Sequence, residues 1–108
     1  MPITIDAVLP TLPPDSEQAI YRIAQEALAN VNYHAGAAHL TVSLTAAHGL
    51  LHLLVQDDGR GFQADSPVAA GHYGLAGMAE WAQITGGRLT ITSALNQGTL
   101  VHAEIGDY

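Results

Sequence analysis

Apolar and polar residues alternate in five stretches of the chain, and this period of two predicts β-strands. Two of these stretches, 39–46 and 50–56, are joined by Ala47-His48-Gly49, which is typical of a hairpin. Two more, 88–93 and 99–105, surround Asn96-Gln97-Gly98 and predict a second hairpin. The fifth stretch is residues 3–9, ahead of a group of prolines. The pattern therefore predicts one early strand followed by two hairpins.

A helical period predicts a first helix from Asp15 to about His34. Asp15 is the expected N-cap, with Gln18 in capping-box position, and Gly36 is the expected stop. One stripe of this helix is apolar, and a second stripe is polar and includes Arg22, Glu26, Asn30 and Tyr33. The apolar stripe consists of Ile20, Ile23, Ala24, Ala27 and Val31.

A second helix is predicted over residues 75–84, ending at Gly86-Gly87. The order β-α-ββ-loop-α-ββ predicts an α+β fold, a two-layer sandwich with helices on one face of a mixed, mainly antiparallel sheet of five strands. Residues 58–73 show little periodicity and contain glycines and a proline. They predict a long functional loop, in which we expect residues 63–73 to be mobile without ligand.

Composition limits the classes of function that remain. With 108 residues, 48% of them hydrophobic, the chain is expected to be one domain, residues 1–108, with a packed core. The chain has ten acidic residues and only three basic ones, all arginine. The resulting net charge of −7 argues against nucleic-acid binding. There is no cysteine, secretion signal or long apolar run, so we expect a cytoplasmic location without direct membrane contact.

Glu26 and Asn30 are the first candidates for chemistry. They lie four residues apart, about 40° around the helix axis, so that both side chains can face one cavity. A carboxylate can orient or deprotonate a water or hydroxyl, and an amide oxygen is a good ligand for Mg²⁺. The alternative for this pair alone is an ordinary solvated helix face.

A second set of candidates contains an acid and several glycines. Asp57 ends an apolar strand, where its carboxylate can accept a hydrogen bond from an exocyclic amine such as that of adenine. Gly59 and Gly61 follow it and allow the backbone to approach a ligand closely. Gly74 and Gly77 flank the start of the second helix, whose free N–H groups attract anions. Taken alone, each motif is better explained as an ordinary turn or helix start, but all of them in this order indicate a nucleotide pocket.

These motifs resemble those of the ATP-binding catalytic domain of two-component sensor histidine kinases, in the GHKL superfamily with gyrase and MutL. The resemblance is strongest to the nitrate-sensor and DesK-like subgroup, whose first helix reads much as residues 21–31 do here. It extends from about Asp15 to Ile105 and includes Gly86-Gly87-Arg88-Leu89 and Gly98-Thr99. It implies the Bergerat fold, with ATP held between the first helix and a flexible lid.

The resemblance also implies roles for individual residues. Asn30 would hold Mg²⁺, Glu26 would be the general base or water-orienting group, and Asp57 would recognise adenine. The remaining residues implied to bind nucleotide are Gly59, Gly61 and Thr99 beside Asp57, and Gly74, Leu75 and Gly77 at the lid. The implied partners are ATP or ADP, a histidine phosphoacceptor domain outside this chain and, indirectly, a response regulator.

The chain departs from the subgroup in the positive charge of the lid helix. Ala76, Ala79 and Trp81 stand where the subgroup has arginines, and Tyr33 stands where a lysine or arginine is common. This leaves an alternative function open, a non-catalytic regulatory module with weakened nucleotide binding. It also leads to the expectation that ADP binds about as well as ATP, unless another cation, Arg60 first, supplies the charge. The six histidines fit no zinc template and are interpreted as structural.

Overall fold

The computed structural model describes residues 3–5 (backbone only), 14–31, 39–61 and 74–106. In these ranges two helices and five strands follow one another along the chain. They are β1 (Ile3–Ile5), α1 (Pro14–Asn30), β2 (Leu40–Ala47), β3 (Leu50–Asp57), α2 (Leu75–Ile84), β4 (Arg88–Ser93) and β5 (Thr99–Gly106).

The five strands form one sheet in the order β1-β2-β3-β5-β4. β1 pairs with β2 in parallel, and the remaining neighbours are antiparallel. The register places Asp57, at the end of β3, opposite Leu40 on one side and Thr99 on the other. The predicted α+β fold with a mixed, mainly antiparallel sheet is therefore confirmed.

One face of the sheet carries the core. Along β3, Leu51, Leu53 and Val55 are buried, whereas Leu50 and His52 between and beside them lie on the other face and are partly exposed. The buried apolar residues of both helices belong to the same cluster as those of the strands, which confirms that the helices cover one face. These helical residues are Ala19, Ile23 and Ala27 of α1, and Met78 and Ala82 of α2.

The direction of α1 across the sheet is set near its first turn. The Ser16 hydroxyl is buried and donates a hydrogen bond to the carbonyl oxygen of Gly106, 3.0 Å away, at the end of β5. At 1.5 Å per residue this helix of 17 residues is about 26 Å long, close to the length of an eight-residue strand. The C-terminal end of α1, with Asn30, therefore points toward the opposite ends of β3 and β5, where Asp57 and Thr99 lie.

Several predicted boundaries differ from the structure by one residue. β3 includes Asp57, and the first hairpin turns at His48 and Gly49 alone, with φ of 55° and 76°. Two successive positive φ angles define a type I′ turn, which matches the twist of the flanking strands. The prediction that Asp15 is the N-cap of α1 is wrong, because the helix begins at Pro14, a residue whose missing N–H costs nothing in the first turn.

Other predictions concern parts of the chain outside the described residues. These are the extension of the first strand to residue 9, the end of α1 near His34 with its stop at Gly36, and the mobile loop at residues 63–73.

Candidate functional site

The two adjacent acids at the end of β3 have different surroundings. Asp57 is only 8% exposed and faces the helices, whereas Asp58 faces solvent. Asp58 accepts a hydrogen bond from the backbone N–H of His39, and its other oxygen lies 2.7 Å from the Nδ1 atom of the same residue. Asp58 therefore ties the strand end to the start of β2, and Asp57 is the acid that lines the interior.

The Asp57 carboxylate is held by its own turn. Its Oδ1 atom accepts a hydrogen bond of 2.8 Å from the backbone N–H of Gly59. Its second oxygen has no partner among the described residues, so it can accept from a ligand. Burial raises the pKa of Asp57 above its ordinary value of 3.8, the Gly59 N–H opposes this, and the charge of Asp58 adds to it.

Glycines let two turns pack backbone against backbone beside Asp57. Gly61 has a φ of 62°, and a Cβ there would overlap the carbonyl oxygen of Ala94. Gly98 is buried with a φ of 76°, and a Cβ there would overlap the carbonyl oxygen of Asp57. Neither position accepts a side chain without a shift of backbone, since the opposing atoms belong to the main chain.

Thr99 lies beside Asp57, at the first position of β5. It is the register partner of Asp57, and its hydroxyl lies 2.9 Å from that of Ser93 on β4. The Ser93 hydroxyl also donates to the carbonyl oxygen of Gly98. We call Asp57, Gly59, Gly61, Gly98 and Thr99 the strand-end cluster. It brings together four residues that the sequence predicts for the recognition of the base, with Gly98 in addition.

The second group of predicted residues lies at the start of α2. Gly74 precedes the helix with a φ of 68°, and its carbonyl accepts the first helical hydrogen bond, from Met78. The N–H groups of Leu75, Ala76 and Gly77 consequently have no acceptor within the helix. The first turn contains no acidic residue, so its dipole can favour an anion.

Glu26 of α1 lies directly against this turn. A Cβ at Gly74 would overlap the Oε1 atom of Glu26 and approach its Cδ atom to 2.6 Å. Between the two helices there is an open cavity of about 260 Å³, which we call the inter-helix cavity. It is lined by Arg22, Gln25, Glu26, Gly74, Gly77, Met78 and Trp81.

Asn30 is the last residue of α1 and is partly exposed. It is not among the described residues that line the inter-helix cavity, although it lies one turn after Glu26 on the same face. Because α1 runs toward the strand-end cluster, Asn30 stands on the side of Glu26 that is nearer to Asp57. An amide oxygen is a ligand type that suits a hard divalent cation.

The predicted residues therefore lie in two groups, the strand-end cluster and the inter-helix cavity. Asn30 is in neither group and lies one turn after Glu26 on α1. Five residues of these two groups were not predicted as site residues: Gly98 of the strand-end cluster, and Arg22, Gln25, Met78 and Trp81 of the inter-helix cavity. Gly98 has a local signal, since it is a glycine after a predicted turn. Its contact with Asp57 could not be predicted, because the two residues are 41 positions apart in the sequence. Arg22 carries a partial signal, because it lies on the same polar stripe of α1 as Glu26, whereas Trp81 carries none, because only the packing of α1 on α2 brings it to the cavity.

A model of the family described as "Histidine kinase-, DNA gyrase B-, and HSP90-like ATPase" matches residues 15–107. The chain belongs to this family, which confirms the resemblance seen in the motifs.

Sensor histidine kinases are among the similar curated proteins. The sensor histidine kinase LiaS of Bacillus subtilis is 39% identical over 89 residues, which cover 82% of this chain and 24% of that protein. The nitrate/nitrite sensor protein NarQ of Escherichia coli is 37% identical over 102 residues, 92% of this chain and 18% of that protein. The chain therefore spans about a quarter or less of the length of these relatives, and NarQ agrees with the predicted nitrate-sensor subgroup.

Solved histidine kinase structures share the fold. The histidine kinase domain of the Erythrobacter litoralis EL346 blue-light activated kinase has a TM-score of 0.78 at 24% identity, covering 96% of this chain and 53% of that one. The ATP binding domain of PrrB from Mycobacterium tuberculosis has a TM-score of 0.69 at 21% identity, covering 100% and 81%. Within the residues that the structure describes, neither helix is long and apolar enough to cross a membrane.

Proposed function

We propose that residues 1–108 form the ATP-binding catalytic domain of a cytoplasmic sensor histidine kinase. The domain binds ATP or ADP with Mg²⁺, and the γ-phosphoryl group passes to a histidine on a separate phosphoacceptor domain, which then serves a response regulator. The observation that carries this proposal is the buried Asp57 carboxylate, with one oxygen held by Gly59 and the other free to accept from an exocyclic amine.

Each group of residues has a part in this proposal. Asp57 accepts from the adenine amine, the N–H of Gly59 holds its carboxylate, and Gly61 and Thr99 form the adjoining backbone. The free N–H groups of Leu75 and Gly77 face the phosphates at the start of α2, and Gly74 allows this start to lie against Glu26.

The remaining two residues act on the metal and the acceptor. Asn30 would hold Mg²⁺ through its amide oxygen, and the metal would neutralise part of the phosphate charge. Glu26, exposed at the cavity next to Gly74, orients or deprotonates the incoming nucleophile. Transfer of a phosphoryl group depends mostly on positioning and on charge stabilisation, so these contacts are the domain's contribution.

Calorimetric titration tests this function directly. The chain is titrated with ATP, ADP and a non-hydrolysable ATP analogue, each with and without Mg²⁺. We expect all three nucleotides to bind, and ATP to lose affinity without Mg²⁺ and in Asn30→Ala. Ligand at 100 times its Kd stabilises the fold by about 2.7 kcal/mol, which corresponds to a rise in Tm of roughly 10 °C. No heat and no Tm shift with any nucleotide would contradict the proposal.

The alternative is a regulatory module that keeps the fold but transfers no phosphate. It is favoured by the neutral side chains of Ala76, Ala79 and Trp81 on α2 and by the net charge of −7. A protein that contains both this domain and its phosphoacceptor domain separates the two. Label from γ-labelled ATP on the acceptor histidine, lost in Glu26→Gln, supports the kinase; nucleotide binding without labelled histidine supports the regulatory module.

A further inference from the structure

The inter-helix cavity has one positively charged side chain among the described residues that line it. This is Arg22, one helical turn before Glu26 on α1. Glu26 lies against Gly74 at the start of α2, where the proposed function places the reacting phosphate. The guanidinium of Arg22 therefore stands on the same side of α1 as that phosphate.

The guanidinium of Arg22 lies over the aromatic ring of Trp81. The Cζ atom of Arg22 is 6.0 Å from the centroid of the Trp81 ring and 5.9 Å from that of Tyr21. The face of an indole ring attracts a cation at this distance. Trp81 packs against the core cluster and is only partly exposed, so its ring is held by α2, whereas Tyr21 is 58% exposed.

Arg22 forms no ion pair with another described residue, so its charge can interact with a ligand. In the described ranges the two ion pairs are His39 with Asp58 and Arg88 with Glu104. Arg22 is in neither, although Glu26 is only four residues away. An arginine four residues before a glutamate is the less favourable order for a pair on a helix, and the Trp81 ring offers the guanidinium another site.

The two other arginines of the chain lie elsewhere. Arg88 donates through Nε to Glu104, 3.0 Å away, on the face of the sheet opposite the helices. Arg60 is exposed in the turn after β3, where its carbonyl oxygen accepts from the N–H of Asn96. Arg60 therefore belongs to the Asp57 end of the site, the end proposed for the base.

We propose that Arg22, positioned by Trp81, binds the terminal phosphate of the nucleotide and makes this site prefer a triphosphate to a diphosphate. The inference rests on the proposed function and specifies its substrate class. A guanidinium presents a rigid fork of N–H donors that matches two phosphate oxygens at once. The neutral residues Ala76, Ala79 and Trp81 favour equal binding of ADP and ATP unless another cation contacts the terminal phosphate, and Arg60 is the first candidate from the sequence. Arg22 takes that role here.

The test is titration of the 108-residue chain with ATP and with ADP, in Mg²⁺ and at low ionic strength. We expect the unmodified chain to bind ATP more tightly than ADP. Arg22→Gln should weaken ATP binding by about tenfold or more, since it removes a charged hydrogen bond, and change ADP binding by less than about twofold. Arg22→Lys should fall between, because an ammonium retains the charge without the fork.

Two further variants separate a phosphate contact from a general effect of charge or folding. Arg88→Gln makes the same change in net charge on the opposite face of the sheet and should leave the ratio of ATP to ADP affinity unchanged. Trp81→Leu should lower that ratio in the unmodified chain and have no further effect in an Arg22→Gln background, because Trp81 acts through Arg22. Thermal unfolding of each variant confirms that it is folded.

Several outcomes would overturn the proposal. One is an equal loss of ATP and ADP affinity in Arg22→Gln, or no loss of either. Another is loss of the ATP preference in Arg60→Gln instead. A third is unchanged nucleotide affinity in Arg22→Gln with reduced phosphorylation of the acceptor, which would assign Arg22 to the partner domain. If neither nucleotide binds, or if Asp57→Asn affects neither, the proposed function fails as well, so the two failures are distinguishable.

Discussion

At Asp57 the requirements of stability and of binding conflict. Burial makes the ionised carboxylate unfavourable in the free domain, as its raised pKa shows, and only one oxygen is compensated by an N–H group. The ionised form is nevertheless the one in which the second oxygen accepts from an exocyclic amine while the first accepts from the Gly59 N–H. A side chain kept at some cost to the fold is typical of a binding site.

We therefore predict that Asp57→Asn separates binding from stability. Adenine-nucleotide affinity should fall by about tenfold or more, because an amide can present a donor to the base where the carboxylate accepts. The fold should be as stable as before or more stable at neutral pH. Calorimetry and denaturant unfolding measure the two effects, and unchanged affinity would mean that the base is recognised elsewhere.

The pH dependence of this variant follows from the sign of the shift. Because the pKa of Asp57 is higher in the folded than in the unfolded chain, the folded state binds the extra proton and is destabilised as the pH rises from 3.8 through the folded pKa. Asparagine does not titrate. Any stability advantage of Asp57→Asn should consequently be largest near pH 7 and disappear as the pH falls toward 3.8.

Gly74 and Gly77 allow a matched comparison at the start of α2. Gly74→Ala should cost about 1–2 kcal/mol in the free energy of unfolding, because its φ is 68° and the new Cβ meets the side chain of Glu26. Gly77→Ala should instead stabilise the helix by up to about 1 kcal/mol, since its φ is not positive and no atom lies within 4 Å of the added Cβ. Chemical denaturation of both variants measures the difference. Equal effects would show that Gly74 is not under this constraint.

At the level of single elements, the turn between β2 and β3 limits the stability of the central hairpin. His48 and Gly49 both have positive φ angles, which asparagine and glycine adopt more readily than histidine. His48→Asn should therefore stabilise the fold by roughly 0.5 kcal/mol, and Gly49→Ala should destabilise it by about 1 kcal/mol. Urea unfolding midpoints give both values. A loss of stability in His48→Asn would mean that the imidazole has a role in the turn.

The element α2 links the two proposals. Its first turn offers N–H groups to an anion, and its second turn places Trp81 under Arg22. Met78 and Ala82 anchor the helix in the core. A movement of α2 would therefore move the phosphate donors and the aromatic support of Arg22 together, which couples phosphate binding to the packing of this helix.

At the level of the whole molecule, the net charge of −7 works against any anionic ligand. Adding a cation on the exposed surface of α2 should therefore help, and Ala76→Arg should strengthen ATP binding more than ADP binding. The gain should be larger at 0.01 M than at 1 M salt, where the screening length falls from about 30 Å to about 3 Å. Titrations at both salt concentrations measure it, and a gain that is the same for ATP and ADP would mean that residue 76 is not near the terminal phosphate.

Local pattern was sufficient to predict most of the fold. The alternation in β2 to β5 and the helical period of α1 and α2 reflect which side chains face one core, and this depends on spacing within each segment. The motif around Asp57 could be recognised for the same reason, because the acid and its glycines are neighbours in the chain. The helix start at Pro14 was missed since aspartate and proline both favour first-turn positions, and only packing chooses between them.

The sequence by itself therefore determined the elements, the core faces and the residues whose chemistry is local, such as Asp57 with Gly59. Only the tertiary structure decided that Gly98 must be a glycine and that Trp81 shares a cavity with Arg22 and Glu26. These facts depend on the crossing of α1 and α2 and on the closeness of two turns 37 residues apart. Contacts between distant segments are set by how whole faces pack, and no short window of sequence contains that information.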